Sequence, residues 1–287
     1  MLTVLQAIIL GALQGITELF PISSLGHSVI VPALLHWNVN EQDPYFLVFL
    51  VATHGATAIV LFLFFWRDWV RIIKGILRSL YAQRIIAGDT DARLGWLLII
   101  GTIPAGILGL LFEKKIQAIF ISPRSAAIFL TCNGILLVGA ELLRRRTRNP
   151  SVALEGDARI ASLSWSQSFF VGVLQALALI PGFSRTGAAL SGGLLVNLSH
   201  EDALRFAFLL AVPIIGAAAV LKLPALLHVA DHSIIFAMLA GSAAAAICAY
   251  LSVRFLSRYF HTEKHSLIPF AIYCIIAGAA SLFFIAS

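Results

Sequence analysis

Six apolar segments of membrane-spanning length limit what this chain can fold into more than any other feature. An α-helix of about 20 apolar residues crosses the hydrocarbon core of a bilayer. The chain is also 60% hydrophobic, with a mean hydropathy of +0.94, which is typical of integral membrane proteins. The sequence therefore predicts an all-α membrane protein and excludes a soluble domain. The six predicted transmembrane helices cover residues 46–66, 94–112, 125–143, 203–221, 234–253 and 267–286.

Lysine and arginine gather beside these segments. Fourteen of the twenty lie in three short predicted loops, residues 67–93, 144–159 and 254–264, which the positive-inside rule assigns to the cytoplasm. This topology places a few basic residues outside, against the rule: Lys114, Lys115 and Arg124. The formal net charge of +6 then reflects membrane topology and contact with anionic lipid head groups, and we expect no nucleic acid partner.

Two shorter segments are related to each other, and each carries a single formal charge. Residues 11–27 contain Glu18 and residues 172–187 contain Arg185, each beside a break rich in proline, serine and glycine. The ungapped alignment pairs Gly11, Leu13, Gln14, Ser23 and Gly26 with Gly172, Leu174, Gln175, Ser184 and Gly187. Because the arm after each break is too short to cross a bilayer comfortably, we predict two re-entrant helical hairpins, at residues 1–35 and 164–198.

The hairpins divide the predicted membrane domain, residues 1–287, into two repeats. The first covers residues 1–143 and the second residues 160–287, each with one hairpin followed by three spans. Three crossings turn the second repeat upside down, which is the inverted-topology repeat in which broken helices meet near the bilayer midplane. Glu18 and Arg185 are then expected to share one cavity. In the alternative, residues 2–20 cross the membrane fully.

Charge this deep in apolar sequence is costly and is usually functional, with a structural ion pair or a helix cap as the alternative. We predict that Ser24 is a nucleophile activated by Glu18 and His27, because a hydroxyl beside a base is the minimal apparatus for displacement. Arg185 suits phosphate, because its planar fork binds two oxygens and keeps its charge. We predict that six further residues bind the substrate: Gln14, Ser23, His54, Ser184, Thr186 and Gly187. Their alternative roles are helix caps and interhelical hydrogen bonds.

The two breaks resemble the paired motifs of a known family. They read Gln14-Gly-Ile-Thr-Glu18-Leu-Phe-Pro-Ile-Ser23-Ser24-Leu-Gly26-His27 and Pro181-Gly-Phe-Ser184-Arg185-Thr186-Gly187-Ala. Over nearly its whole length the chain is similar to the undecaprenyl-diphosphate phosphatase family, also called the bacitracin-resistance family. The resemblance implies an integral membrane hydrolase that removes the terminal phosphate of undecaprenyl diphosphate. This reaction recycles the carrier lipid for cell-wall synthesis and confers bacitracin resistance.

The resemblance also implies roles for individual residues. Catalytic positions match Glu18, Ser24, His27 and Arg185, and phosphate-binding positions match Ser184 and Thr186. It implies a divalent cation, Mg²⁺ or Ca²⁺, at Glu18 and Gln14, and a site open toward the periplasmic side of the bacterial inner membrane. A homodimer is a further expectation. Three residues depart from the family pattern: Gln14 is the uncharged variant of its position, Leu25 stands where threonine is common, and Cys274 where arginine is expected.

Several alternatives stay open at this point. The nucleophile is Ser24, His27 or a metal-bound water held by Glu18. The rival function is a secondary transporter or flippase for a polyprenyl phosphate or another anion, because transporters are also built from inverted repeats. Polar side chains at the span ends are expected to be solvated, namely those of Glu113, Glu141, His200, Glu201, Asp202 and Glu263.

Overall fold

Every secondary-structure element in the described part of the chain is a helix, as the hydropathy predicts. The computed structural model describes residues 2–37, 39, 43–120, 122–147, 156–227, 232–262 and 265–286. The α-helices are α1 (Val4–Thr17), α2 (Ser24–Leu34), α3 (Pro44–Phe64), α4 (Trp66–Tyr81), α5 (Thr90–Phe120), α6 (Pro123–Thr147), α7 (Gly156–Ala161), α8 (Trp165–Gln175), α9 (Arg185–Leu195), α10 (His200–Leu227), α11 (His232–Tyr259) and α12 (Ile268–Ala286). A short 3₁₀ helix, Ala176–Leu179, follows α8.

Six of these helices are long and apolar enough to cross a membrane, which confirms the predicted number. Their apolar stretches are Tyr45–Phe64, Thr90–Phe112, Pro123–Arg146, His200–Lys222, His232–Tyr259 and Ile268–Ile285. The middle of the molecule is α10, whose residues 206–211 are fully buried. The spans α3 and α5 pack against it, and the spans leave large apolar side chains exposed, as expected where the solvent is lipid.

Each predicted hairpin consists of two short helices around a break. Capping boxes start the first helix of each pair, at Thr3 for α1 and at Ser164 for α8. Serine N-caps start the second helix of each pair, at Ser23 for α2 and at Ser184 for α9. A side-chain oxygen that accepts an otherwise unpaired N–H fixes where a helix begins. Aligned residues therefore start corresponding helices in both halves.

Aligned glycines pack the two hairpins against the spans of the opposite repeat. A Cβ atom added to Gly11 in α1 would lie 2.0 Å from the carbonyl oxygen of Gly241 in α11. One added to Gly172 in α8 would lie 2.2 Å from the carbonyl oxygen of Gly101 in α5. Only glycine allows two backbones to approach this closely. Two equivalent halves produce this exchange of partners, and their opposite orientation in the membrane stays a prediction.

Helix α4 corrects the sequence interpretation, which places residues 67–93 in a basic loop. A hydropathy window misses such a helix because apolar and charged residues alternate at helical spacing. Asp157 of α7 ties α4 to α10, because it accepts hydrogen bonds from Arg71 at 3.1 Å and Arg205 at 2.7 Å. Burial favours a raised pKa at Asp157, but these two guanidinium groups hold the pKa below its ordinary value.

A buried polar cluster near the ends of α6 and α10 is a second correction, because solvated side chains are expected there. Glu141 is 2% exposed and accepts hydrogen bonds from His200 Nε2 at 2.8 Å and from the Leu267 N–H at 3.3 Å. Asp202 is buried as well. Carboxylates tolerate burial when enough donors satisfy them. Only Glu201 in this set is exposed as predicted; Glu263 and the side chain of Glu113 lie outside the described residues.

Candidate active site

The break between α1 and α2 brings Glu18 and Ser24 together. α1 ends with Glu18 as its C-cap, and Pro21 disfavours continuation of the helix. Ser23 then adopts a φ of 65°, a left-handed conformation that is rare for residues other than glycine. After this turn, Ser24 Oγ donates a hydrogen bond to Glu18 Oε2 at 2.5 Å. Backbone strain of this kind clusters at functional sites.

Glu18 is the centre of the site, and three further side chains contact its carboxylate. Arg185 Nη2 lies 2.7 Å from Oε1. Gln14, one helical turn earlier, donates from Nε2 to Oε2 at 3.2 Å. His54 of α3 places Nε2 3.3 Å from Oε2. A carboxylate that is only 6% exposed requires such partners. The two lone charges of the sequence therefore meet, as the repeat predicts.

Side chains of the second hairpin hold the backbone of the first. Thr186 Oγ1 donates to the Glu18 carbonyl at 2.9 Å, and Ser184 Oγ donates to the Phe20 carbonyl at 3.4 Å. The Gly187 N–H donates to Ser184 Oγ at 3.0 Å, which closes the N-cap of α9. In this geometry the three residues orient the hairpins, and their contact with phosphate stays a prediction. The same holds for Ser23, whose hydroxyl caps α2.

Asn133 of α6 is a site residue that the sequence reasoning missed. Its Nδ2 donates to the Pro21 carbonyl at 2.9 Å, and its Oδ1 accepts the Ser184 N–H at 3.1 Å. The side chain is fully buried, so one amide ties the first break to the second. The available signal is an asparagine in the middle of an apolar span, where an amide without partners is costly.

His27 lies three positions after Ser24 in α2, but both of its ring nitrogens face other groups. Its Nδ1 lies 2.6 Å from the Ser23 carbonyl, and its Nε2 lies 2.8 Å from the Tyr273 hydroxyl. Because a carbonyl only accepts, Nδ1 carries the proton and Nε2 accepts from Tyr273. Stacking of the ring on Tyr273 of α12 holds it in this direction. A catalytic role for His27 stays a prediction, now through positioning.

His54 supplies the imidazole beside Glu18 instead. Its Nδ1 lies 2.7 Å from the Leu50 carbonyl and therefore carries a proton. A carboxylate oxygen only accepts, so Nε2 also needs a proton to make a favourable contact with Glu18. This second proton lies between His54 Nε2 and Glu18 Oε2. The His54 side chain is 26% exposed, against 11% for Arg185. Among these contacts of Glu18, His54 is thus the most exposed.

Two buried polar atoms of the site have no hydrogen-bond partner among the described residues. They are Arg185 Nη1, a donor, and Gln14 Oε1, an acceptor. An unpaired buried polar atom costs about 1–3 kcal/mol, so such atoms mark places where a ligand or a water molecule binds. Arg185 holds Glu18 with Nη2, and its Nη1 is left able to donate to a ligand. A phosphate oxygen is complementary to that nitrogen.

The residues around Glu18 fit a tightly held metal ion poorly. The described residues contain no group of three or more histidine, cysteine or acidic side chains placed to hold a metal. Both oxygens of Glu18 already face donors, including the Arg185 cation. Mg²⁺ and Ca²⁺ prefer several oxygen ligands, although Mg²⁺ takes many of them from water and substrate phosphates. An ion carried in on a diphosphate, with Gln14 Oε1 as a protein oxygen, is the arrangement that these residues allow.

Comparison with known proteins agrees with the resemblance of the motifs. The family model described as "Bacitracin resistance protein BacA" matches residues 7–280. A protein of Mycolicibacterium paratuberculosis named undecaprenyl-diphosphatase is 46% identical and aligns over 99% of this chain and 98% of its own length. Undecaprenyl-diphosphatase 2 of Chromobacterium violaceum is 44% identical over 98% of both chains. The undecaprenyl-diphosphatase of Acidiphilium cryptum is 44% identical over 99% of both.

Proposed function

The chain belongs to the bacitracin resistance protein family, and we propose that its site around Glu18 and Arg185 carries out the reaction for which its relatives are named. The protein hydrolyses undecaprenyl diphosphate to undecaprenyl phosphate and inorganic phosphate. One observation carries the assignment of the site. Glu18 accepts a hydrogen bond from Ser24 while Arg185 binds the same carboxylate and keeps a buried donor unpaired.

The first proposed step is attack of Ser24 on the terminal phosphorus. The Oγ–P bond forms as Glu18 takes the hydroxyl proton, the bond between phosphorus and the bridging oxygen breaks, and Glu18 passes the proton to the leaving phosphate. Undecaprenyl phosphate leaves with the bridging oxygen. Arg185 Nη1 stabilises the negative charge on the transferring phosphoryl group, since a donor in place before the reaction needs no reorganisation.

The second proposed step is hydrolysis of the phosphoserine. Glu18 takes a proton from water, the water oxygen bonds to phosphorus, and the bond to Ser24 Oγ breaks as the serine recovers its proton. His54 keeps its own proton and orients the Glu18 carboxylate through Nε2, while Glu18 returns to its ionised form at the end of each step. Tyr273 and His27 fix the start of α2 and hence the direction of Ser24. A divalent cation bound with the diphosphate, with Gln14 Oε1 as a protein ligand, would neutralise part of the phosphate charge.

Purified protein in detergent tests the site. We expect Glu18→Gln and Ser24→Ala to lower phosphate release from undecaprenyl diphosphate by about 10³-fold or more. Glu141→Gln is the matched control, because Glu141 is also buried and paired with a histidine but lies in another cluster. Near-normal release by Glu18→Gln would remove the site from the reaction. Lipid binding without any release in the unmodified protein would favour transport.

The nucleophile is tested separately. Rapid acid quenching after mixing with substrate labelled with ³²P in the terminal phosphate is expected to trap label on the peptide that contains Ser24. Ser28→Ala, in the same turn of α2, is the control, because Ser28 donates only to the Ser24 carbonyl. Full activity without trapped label, together with an active Ser24→Ala variant, would transfer the attack to water.

We also propose the cofactor, location and assembly that the resemblance implies. A divalent cation bound with the diphosphate predicts that EDTA abolishes turnover and that Mg²⁺ or Ca²⁺ restores it. Placement in the bacterial inner membrane, with the site open to the periplasm, predicts that the variant His36→Cys reacts with a membrane-impermeant maleimide in intact spheroplasts. A homodimer predicts twice the protein mass of the monomer in light scattering.

A further inference from the structure

The amphipathic helix α4 exposes an apolar face that no described residue covers. Five side chains at helical spacing are 38–59% exposed, namely Trp66, Val70, Ile73, Leu77 and Leu80. Residues three and four positions apart lie on one face of a helix. In an aqueous environment a stripe of this size would be unfavourable, and in a membrane protein it marks contact with lipid or with another chain.

Packing against α5 fixes the direction in which the stripe points. Ile72, Gly75 and Ser79 form the buried face of α4. A Cβ atom on Gly75 would lie 2.5 Å from the Ala92 nitrogen, and Trp96 Nε1 donates to Ser79 Oγ at 2.9 Å. Because α4 cannot rotate without breaking these contacts, the apolar stripe faces away from the protein.

Four basic residues form a row beside the stripe. Arg71 and Arg78 are committed to the protein, through hydrogen bonds to Asp157 and Asp89 respectively. The other two are Arg67 and Lys74, both exposed. Arg67 rests 6.0 Å from the ring centroid of Trp66, and neither makes an ion pair with a described residue. Two cations at the edge of the apolar stripe therefore have no counter-charge within the described chain.

The stripe continues the lipid-facing surface of α3. Phe62, Leu63 and Phe64, the last residues of that span, are 37–60% exposed, and α4 begins only two residues after the span ends. The start of α4 thus lies at the depth where hydrocarbon gives way to head groups. We propose that α4 lies in the membrane interface, with its stripe in the acyl-chain boundary and with Arg67 and Lys74 bound to phosphate groups of anionic phospholipids.

Quenching of a fluorophore by brominated lipids tests this proposal on the full-length protein in vesicles. The fluorophore is attached at Leu77→Cys after Cys132→Ala and Cys248→Ala, whereas Cys274 is buried and stays. Brominated phosphatidylglycerol is expected to quench up to about 25-fold more strongly than brominated phosphatidylcholine at equal mole fraction. Each cation contributes about fivefold, the factor that corresponds to about 1 kcal/mol. The double variant that carries both Arg67→Gln and Lys74→Gln lacks the two cations, so the ratio of the two quenching constants should fall close to one.

The matched control removes two exposed cations elsewhere, through Lys115→Gln and Arg124→Gln, and should leave the ratio unchanged. Phosphate release in detergent, expected to be normal in all these variants, checks that they fold. Equal quenching by both lipids in the parent would overturn the binding of anionic lipid. If neither lipid quenched the fluorophore, the interfacial position of α4 would be overturned. Self-quenching that grows with protein density would then assign the stripe to a second copy of the chain.

Discussion

Residues 1–35 and residues 164–198 start their helices with the same caps, yet their charged residues lie on opposite sides of the break. In the first hairpin the acid, Glu18, precedes the break and Ser24 follows it. Arg185 occupies the position aligned with Ser24, and Leu179 the position aligned with Glu18. The cap residue Ser23 has a φ of 65°, whereas Ser184 has an ordinary φ of −90°. One scaffold therefore places the proposed nucleophile, Ser24, in one half and the proposed anion-binding group, Arg185, in the other.

The aligned glutamines show how far the halves have diverged. Gln14 donates to Glu18, but Gln175 has no partner for either polar atom of its amide among the described residues. A repeated scaffold conserves the positions of side chains, whereas each chemical role depends on which neighbour the other half supplies. The predictions below separate what the halves share from what only one of them does.

Among the predictions that compare the two halves, Arg185→Lys has the largest expected effect on kcat. A lysine keeps the charge but cannot hold Glu18 and a phosphate oxygen with two nitrogens of one planar group. We expect kcat for phosphate release to fall about 10²- to 10³-fold. Arg205→Lys is the control, because Arg205 is a partly buried arginine that binds Asp157 and Asp68 away from the site. A variant Arg185→Lys with nearly normal turnover would show that charge alone suffices.

The sequence predicts the spans and the hairpins because hydropathy and breaks are local properties of the chain. It also predicts that Glu18 and Arg185 meet, since a lone acid and a lone base at related positions are costly unless they pair. Helix α4 is missed because its stripe averages out with the adjacent charges. The burial of Glu141 is missed because its donors, His200 and the Leu267 N–H, come from distant parts of the sequence.

The directions of side chains in the site cannot be predicted from the sequence either, because they depend on contacts with residues far away in the chain. Spacing puts His27 near Ser24, but contact with Tyr273, which lies 246 positions later, turns the ring away. His54 then becomes the imidazole at Glu18. Asn133 makes its two interhelical hydrogen bonds to residues 112 and 51 positions away. Only the folded arrangement of the spans decides these contacts.

Asn133→Ala is expected to have the second-largest effect on activity. The change leaves the Pro21 carbonyl and the Ser184 N–H unpaired and lets the hairpins separate, so we expect kcat to fall about 10- to 100-fold while KM changes less. Asn133→Asp should not restore the rate, because a carboxylate places an acceptor against the Pro21 carbonyl. Thr131→Ala, in the same helix, is the control. If Asn133→Ala and Asn133→Asp raised KM equally, Asn133 would not act by positioning the two hairpins.

The shared scaffold is tested by Gly11→Ala and Gly172→Ala. Each new methyl group meets a carbonyl oxygen within 2.2 Å, so we expect each variant to lose about 1–3 kcal/mol of stability and to have a similarly lowered Tm in detergent. Gly139→Ala is the control, because an added Cβ there meets no atom within 4 Å. A large loss in only one of the two variants would contradict equivalent packing of the halves.

The smallest effects distinguish Gln14 from Gln175 most sharply. Gln14→Leu removes a hydrogen bond to the carboxylate that activates Ser24, and we expect about a tenfold loss of kcat with little change in Tm. Gln175→Leu removes an amide that has no partner among the described residues, so activity should stay within about twofold and Tm should stay equal or rise. Phosphate release and thermal unfolding of both variants measure this difference. If Gln175→Leu lost as much activity as Gln14→Leu with an unchanged Tm, the second amide would belong to the substrate site, and the halves would share chemistry as well as scaffold.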